Sequence, residues 1–386
     1  MSRMKIEKNI AWDDVKKKYY VTLYFGKDDS GAIIKKTVTT TNKKEAQSIL
    51  REHNKKMEAG TTVAPNKTTL AEYARECIEY KALTLAQTTI YGYKNILKNH
   101  ITPYFKRKYI QDITPKDIQD YITTKASTGI SLQSVKKHIA LLYSVFQNAY
   151  RSRIINENPI DRLERIKAPS SKMECMNALE IAELCRSLIG TQLEVPVKLA
   201  AYLGLRRGEV LGLKWEHVDF DNAIIHICNT RTEAGNVVIE KQPKTERSLR
   251  HLQLTPELVD LLKGQQQKQV TLSLWTHEPQ DYVVTMDNGK AFDPNYLSEA
   301  FHKHLVKNGY KQIRFHDLRH SFASIANNAG TSLRDISEAM GHSNISTTSD
   351  IYTHEFSQTK AKAVNAVALS IEHAKSPGNS CQTNTP

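Results

Sequence analysis

The chain reads as a mainly α-helical protein with small β elements: an amino-terminal three-stranded sheet plus helix, a helical module, and a mostly α carboxy-terminal domain with a small β-sheet. Three observations carry that expectation. The 386 residues are 40% apolar and 25% charged, ordinary globular proportions with room for two to three cored domains. Apolar residues recur at three and four spacing through most of the chain, the period of an amphipathic helix. Aromatic and β-branched runs are confined to two short regions, one near the amino terminus and one between Ile224 and Leu254.

The elements follow in order. Residues 18–25 (KYYVTLYF), a turn at 27–31 (KDDSG) and residues 33–41 (IIKKTVTTT) make a hairpin, to which residues 8–12 add a third strand. A helix over 43–58 comes next, started by Thr41 or Asn42 as cap. The segment 59–66 (AGTTVAPN) has linker composition. Four helical stripes follow: Leu70, Tyr73, Ala74, Cys77, Tyr80; then Ile90, Tyr93, Leu97, Ile101; then Ile118, Tyr121, Ile122; then Val135, Ile139, Leu142, Phe146, Ala149. Thr114, with Pro115 next and Asp117 three residues on, is a helix-start signature. Asn158–Pro159–Ile160 stops the last helix and residues 166–174 form a second linker. The expected division is therefore 1–60, 67–165, a larger domain at 175–375, and a disordered tail at 376–386.

Charge separates these parts. The net charge is +13, which favours a polyanionic partner. Residues 1–60 carry 14 basic and 8 acidic side chains, residues 61–170 carry 17 and 9, and residues 171–386 carry 23 and 24. The excess thus sits in the first 170 residues, as expected of modules that grip nucleic acid and are attached to a nearly neutral domain. Lys94, Lys98, Lys106, Arg107, Lys108, Lys136 and Lys137 on the helical polar faces are candidate phosphate contacts. Tyr19, Tyr20, Tyr24, Lys35 and Lys36 either form a nucleic-acid-facing surface or pack the sheet.

Several chemistries lack their handles. Cys77, Cys175, Cys185, Cys228 and Cys381 are an odd, scattered set with no close pair, which argues against a disulfide framework and a zinc cluster. No Walker-type loop, dinucleotide glycine fingerprint or His-Glu-x-x-His motif occurs. His302 and His304 flank Lys303 without a third ligand and read as surface histidines. The amino terminus has no apolar signal core and no apolar run approaches membrane-spanning length, so no membrane partner and a cytoplasmic, reducing setting are expected.

What remains is a set of cationic groups and one tyrosine. AYLGLRRGEVLGL places Arg206 at a helix-to-helix junction, with Glu209 three residues on. FHDLRHSFAS sets His316 and Arg319 three apart on one helical face, with Leu318, Phe322 and Ile325 toward the core. MGHSNISTTSDIYTH puts His342 just past a helix ended by Gly341, and Tyr352 ten residues later. QPKTERSLR, between two β runs, brings Lys244 near a hairpin tip, with Lys241 and Arg247 on the same hairpin. Taken singly, Arg206 reads as a helix-end salt-bridge partner, His316 as a packed histidine, Tyr352 as a core aromatic and Lys244 as a solvated loop residue.

Together, in this order and spacing, Gly-Leu-Arg-x-Gly-Glu, Pro-Lys-Thr, His-x-Leu-Arg-His, and Gly-His-Ser followed by Thr-Thr and Ile-Tyr resemble the tyrosine recombinase family, the phage-type integrases. The resemblance spans about residues 179–356. The amino-terminal sheet looks like an integrase arm-binding domain and 67–165 like the family's helical core-binding domain. Met340 stands where Leu is common, and Arg207 adds a charge beside Arg206.

The resemblance implies that DNA is cut and rejoined through a covalent 3′-phosphotyrosine, with no cofactor and no metal. Arg206 and Arg319 would hold the non-bridging phosphate oxygens, Tyr352 would attack, His316 would take its proton, Lys244 would protonate the departing 5′ oxygen, and His342 would donate a hydrogen bond. Glu209 would orient Arg206. The implied partners are double-stranded DNA attachment sites, a homotetramer on DNA, a host DNA-bending factor and an excisionase. The implied setting is integration and excision of a temperate phage or related mobile element. Residues 359–374 carry a helical stripe of Val364, Val367, Ala368 and Ile371, which packs on its own domain or a neighbour's. A type IB topoisomerase-like enzyme and a non-catalytic DNA-binding regulator are the alternatives; the separate basic amino-terminal domain disfavours the first and the intact Arg206, Arg319, His342 and Tyr352 the second.

Overall fold

The computed structural model describes residues 3–27, 31–59, 62–169, 174–235, 237–241, 249–276 and 281–341. The chain divides into two compact units, Met1–Ser171 and Lys172–Pro386, the boundary falling inside the second linker read from the sequence.

The first unit opens with an antiparallel meander of β1 (Met4–Glu7), β2 (Ile10–Asp13), β3 (Lys18–Lys27) and β4 (Ile33–Thr40), in the order β1-β2-β3-β4. Where three strands were expected, the sheet has four; β1 was hidden by its charged flanks. Alternation along β3 sends Tyr19, Val21, Leu23 and Phe25 onto Ala46, Ile49 and Leu50 of α1 (Lys43–Glu58). Asn42 caps α1, its side chain accepting from the Lys44 amide. On the other face Tyr20, Thr22 and Tyr24 lie opposite Thr39, Thr37 and Lys35 of β4, and the Arg3 guanidinium sits 3.7 Å over the Tyr20 ring. Of the five residues singled out on this sheet, Tyr19 therefore packs inward. Tyr20, Tyr24 and Lys35 share the outer face, and Lys36 pairs with Leu23 on the inner one.

Five helices complete the unit: α2 (Leu70–Lys81), α3 (Gln87–Ile96), α4 (Thr102–Phe105), α5 (Pro115–Ser127) and α6 (Leu132–Arg151). The stripe expected over 90–101 is α3 followed by a wider π-type turn, Leu97–Ile101. Thr114 and Asp117 form the expected capping box, each side chain accepting from the other's amide. Leu70, Ile118, Leu142 and Phe146 close the core. His138 is buried among them beside the Tyr121 hydroxyl at 2.9 Å; burial pushes its pKa down to about 4, so it sits there uncharged at neutral pH.

The second unit contains α7 (Ala178–Ser187), α8 (Glu194–Leu203) and α9 (Arg207–Gly212), then β5 (Val218–Asp219), β6 (Ile224–Ile227), β7 (Thr230–Ala234), β8 (Val237–Lys241) and β9 (Arg250–Gln253). It continues with α10 (Pro256–Thr276), α11 (Pro294–Lys307), α12 (Asp317–Asn328) and α13 (Leu333–Met340). α8 is buried along most of its length and packs against α12. Val197, Leu199, Leu258, Phe301 and Leu318 are wholly buried in the shared core.

The strands correct one expectation. β7 pairs with β8, Thr230 facing Lys241, whereas β9 pairs back with β6, Arg250 facing Ile227. β6 and β7 thus run out and β8 and β9 return along them, the reversal lying between Ala234 and Val237. The strands on either side of residues 242–248, β8 and β9, do not pair with each other. The reason is tertiary: pairing with β6 keeps β9 over the buried Ile225 and Ile227. Lys244 itself, His342, Tyr352, the helical stripe at 359–374 and the tail at 376–386 lie outside the described residues. Among the described residues no helix is long and apolar enough to cross a membrane.

Candidate active site

The junction between α8 and α9 sets the first arginine. Gly204 ends α8 with φ +62°, a left-handed conformation that glycine adopts readily. Arg206 follows as the residue capping α9, with extended backbone. Glu209, one turn on, takes the Arg206 amide at 2.9 Å and its Nη1 at 2.7 Å. This is a capping box in which the cap residue's own side chain is also held.

The second arginine comes from α12. Asp317 fixes that helix's start by accepting from the amide, Nε and Nη2 of Arg314. Two residues on, Arg319 is buried, donating from Nη1 to the Gly204 carbonyl and from Nη2 to the Met340 carbonyl, each at 2.6 Å. Both guanidiniums then meet at the end of α13. Arg206 Nη1 also reaches the Met340 carbonyl at 3.4 Å, and Nη2 donates to the Gly341 carbonyl at 3.0 Å. A helix end leaves its last carbonyls without intrahelical donors; here two arginines supply them, and one carbonyl oxygen joins the pair.

Sequence reasoning missed a third arginine. Arg250, at the start of β9, donates from Nη2 and Nη1 to the two oxygens of Glu209 at 2.8 and 3.2 Å, and from Nε to the Ala339 carbonyl at 2.7 Å. Gly341 has φ +64°, and a Cβ there would come 2.9 Å from Arg250 Nη1, so the same glycine that ends α13 makes room for this side chain. No short motif marks Arg250; its role follows from the pairing of β9 with β6.

Among the described residues, charge in the cluster is lopsided, three guanidiniums to the one carboxylate of Glu209. Burial alone would raise Glu209, but the Arg250 hydrogen bonds and the charges of Arg250 and Arg206 hold it down at about 2. His316 stands beside this cluster at the start of α12, its ring edge-on to His320 at 5.1 Å. Burial, then the nearness of His320 and Arg319, outweighs the pull of Asp317 and lowers His316 to about 4. A neutral imidazole next to two guanidiniums can accept a proton, and the guanidiniums can hold an anion bidentately.

Arg206, His316, Arg319 and Glu209 are therefore brought together. Arg207, adjacent in sequence, turns away, donating to the Pro294 carbonyl and Ser298 hydroxyl of α11 at 3.0 and 2.7 Å. Of the histidines read as surface residues, His302 is exposed, whereas His304 is half-buried against Tyr310, its Nε2 2.9 Å from the Ser187 hydroxyl. Among the described residues no group of three or more His, Cys, Asp or Glu side chains is placed to hold a metal ion.

Known proteins are similar to this chain. The profile of the phage integrase family matches residues 173–359, and that of the phage integrase N-terminal SAM-like domain matches residues 69–126. A XerC-like tyrosine recombinase of Caldanaerobacter subterraneus is 29% identical over 297 residues, 71% of this chain and 75% of the relative. The ICEBs1 integrase of Bacillus subtilis is 27% identical over 265 residues, 68% of this chain and 72% of the relative. Among solved structures, the Tn1549 transposon integrase in complex with a circular intermediate DNA matches with a TM-score of 0.65 at 16% identity, over 77% of this chain and 99% of that one. A lambda integrase tetramer bound to a Holliday junction matches with a TM-score of 0.59 at 16% identity, over 91% and 96%. At such identities the structural likeness shows the fold alone. The sequence matches go further and make the protein an enzyme, a site-specific recombinase. The chain belongs to the tyrosine recombinase family, on its integrase branch.

Proposed function

We propose that Arg206 and Arg319 grip one DNA phosphate while Tyr352 takes over its ester linkage. The convergence of both guanidiniums on the Met340 carbonyl supports this most directly. The Tyr352 phenolic oxygen attacks phosphorus in line, its proton passes to His316, and the P–O5′ bond breaks with Lys244 protonating the departing oxygen. The product is a 3′-phosphotyrosine and a free 5′ hydroxyl; attack by a 5′ hydroxyl from the partner duplex reverses the step and joins the strands. Non-bridging oxygens gain charge in the transition state. At an effective dielectric near 20, a cation about 4 Å away contributes roughly 4 kcal/mol, so two arginines supply a large share of that stabilisation. His342, next to Gly341, donates to the same phosphate, and Glu209 orients Arg206.

The wider reading follows from the same site. Residues 1–60 act as an arm-type DNA-binding domain, with Tyr20, Tyr24 and Lys35 on the DNA-facing side of the sheet. Residues 67–165 clamp the core site and 175–375 carry the chemistry. The partners are attachment-site DNA, three further copies of the chain, a host bending protein and an excisionase, in the cytoplasm of a host carrying a phage or other mobile element. The relatives are integrases and recombinases, so the topoisomerase-like and regulatory readings are set aside. Arg206→Ala or Arg319→Ala should slow cleavage of attachment-site DNA by roughly 10² or more while duplex affinity holds. Loss of affinity with an unchanged cleavage rate at saturating DNA would make both arginines anchoring groups instead.

A further inference from the structure

The end of α13 raises a question that the two phosphate-binding arginines leave open. Its last three carbonyls, Ala339, Met340 and Gly341, receive Arg250, then Arg319 and Arg206, then Arg206 again. Arg206 and Arg250 each bridge the helix end and Glu209, but it is the Arg250 guanidinium that takes both carboxylate oxygens. Its Nε holds the helix end, while Nη1 and Nη2 hold the two oxygens of Glu209. Glu209 in turn carries the Arg206 amide and Nη1. Arg250 is almost fully buried, its side chain 8% exposed, whereas that of Arg206 is 36% exposed. Arg250 donates to the Ala339 carbonyl and the Glu209 carboxylate.

We propose that Arg250 is a positioning residue for strand cleavage, fixing the direction of Arg206 through Glu209 and holding the end of α13 through the Ala339 carbonyl. This rests on the reading of Arg206 as a phosphate-binding group. The physical reason is the carboxylate's shared use. A lone Glu209–Arg206 pair would let the guanidinium swing about the carboxylate oxygens. With Arg250 occupying both oxygens from β9, the orientation in which Arg206 Nη1 bonds Oε1 and Nη2 faces the Gly341 carbonyl is favoured. A planar fork with a third donor at Nε is needed to bridge a carboxylate and a carbonyl, which a lysine cannot do.

The test is single-turnover cleavage of a nicked attachment-site duplex by the full chain, with rate at saturating DNA and half-saturating DNA concentration read separately. Arg250→Gln should lower the saturating rate on the order of tenfold to a hundredfold, the effect of a misplacement near 1 Å, and leave half-saturation within about threefold. Arg250→Lys keeps the buried charge and so remains informative should the glutamine variant fail to fold; it should cleave more slowly than wild type, with half-saturation again held. In a Glu209→Gln background the Arg250→Lys change should cost clearly less than it does alone, because both act through Arg206. A merely structural role predicts a lower melting temperature with a wild-type saturating rate per folded molecule, and that result for Arg250→Lys overturns the proposal. Full cost in the Glu209→Gln background overturns it as well. If Arg206→Ala itself cleaves normally, it is the site reading that has failed.

Discussion

Replacing Glu209 by Gln removes the negative charge that Arg206 and Arg250 share while keeping nearly the same shape. The side chain is 3% exposed, and it accepts from Arg206 and Arg250 at 2.7 to 3.2 Å. Its carboxyl is held at about 2 against an ordinary value of 4.5, a difference that converts to roughly 3 kcal/mol favouring the charged folded form. Breaking a buried pair by removing one partner costs about 3–5 kcal/mol. Gln retains one accepting oxygen and turns an amide donor toward guanidinium donors, so the expected loss is roughly 3 kcal/mol, or about 6–12 °C in melting temperature for a unit of this size. The sign with pH is fixed by the lowered value. The carboxylate's contribution is complete above about 4.5 and is lost as pH falls toward 2, so the gap between wild type and variant should narrow on acidification. Urea unfolding of the full chain at pH 7 and pH 4 measures both. A variant within about 0.5 kcal/mol of wild type at pH 7, or a gap that widens in acid, would refute the reasoning.

Two further outcomes follow from the same geometry. Gly204→Ala places a Cβ 2.5 Å from Phe322 Cδ1 at a residue with φ +62°; left-handed strain plus overpacking should destabilise the catalytic unit by roughly 2–4 kcal/mol in urea, and a neutral substitution would mean that the α8–α9 junction is looser than described. With His316 lowered to about 4, the acid limb of kcat/KM, which reports the free enzyme's base, should fall near pH 4; a limb near the ordinary histidine value of about 6.5 would place the base elsewhere.

The parts legible from sequence are those set by local chemistry. The capping pair Thr114 and Asp117, the Asn42 cap and the Gly341 stop each depend on a few adjacent residues, and each stands where the spacing put it. The helix junction at Arg206 and the face shared by His316 and Arg319 were readable for the same reason. Long-range pairing decided the rest. Strand alternation separates Tyr19 from Tyr20 and Lys35 from Lys36, but which face turns inward is decided by the packing of α1 on the sheet. β9 pairs with β6 rather than β8, which brought Arg250 to Glu209. Arg207 and Arg206 look alike in the sequence; packing against α11 takes one away from the site.

Covalent trapping on a suicide substrate is the most direct check on the chemistry assigned to this cluster. After incubation with a nicked attachment-site duplex and digestion, mass spectrometry should find a 3′-phosphonucleotide on the peptide containing Tyr352, and Tyr352→Phe should abolish the adduct. An adduct on any other side chain, or one that persists in Tyr352→Phe, would contradict the account.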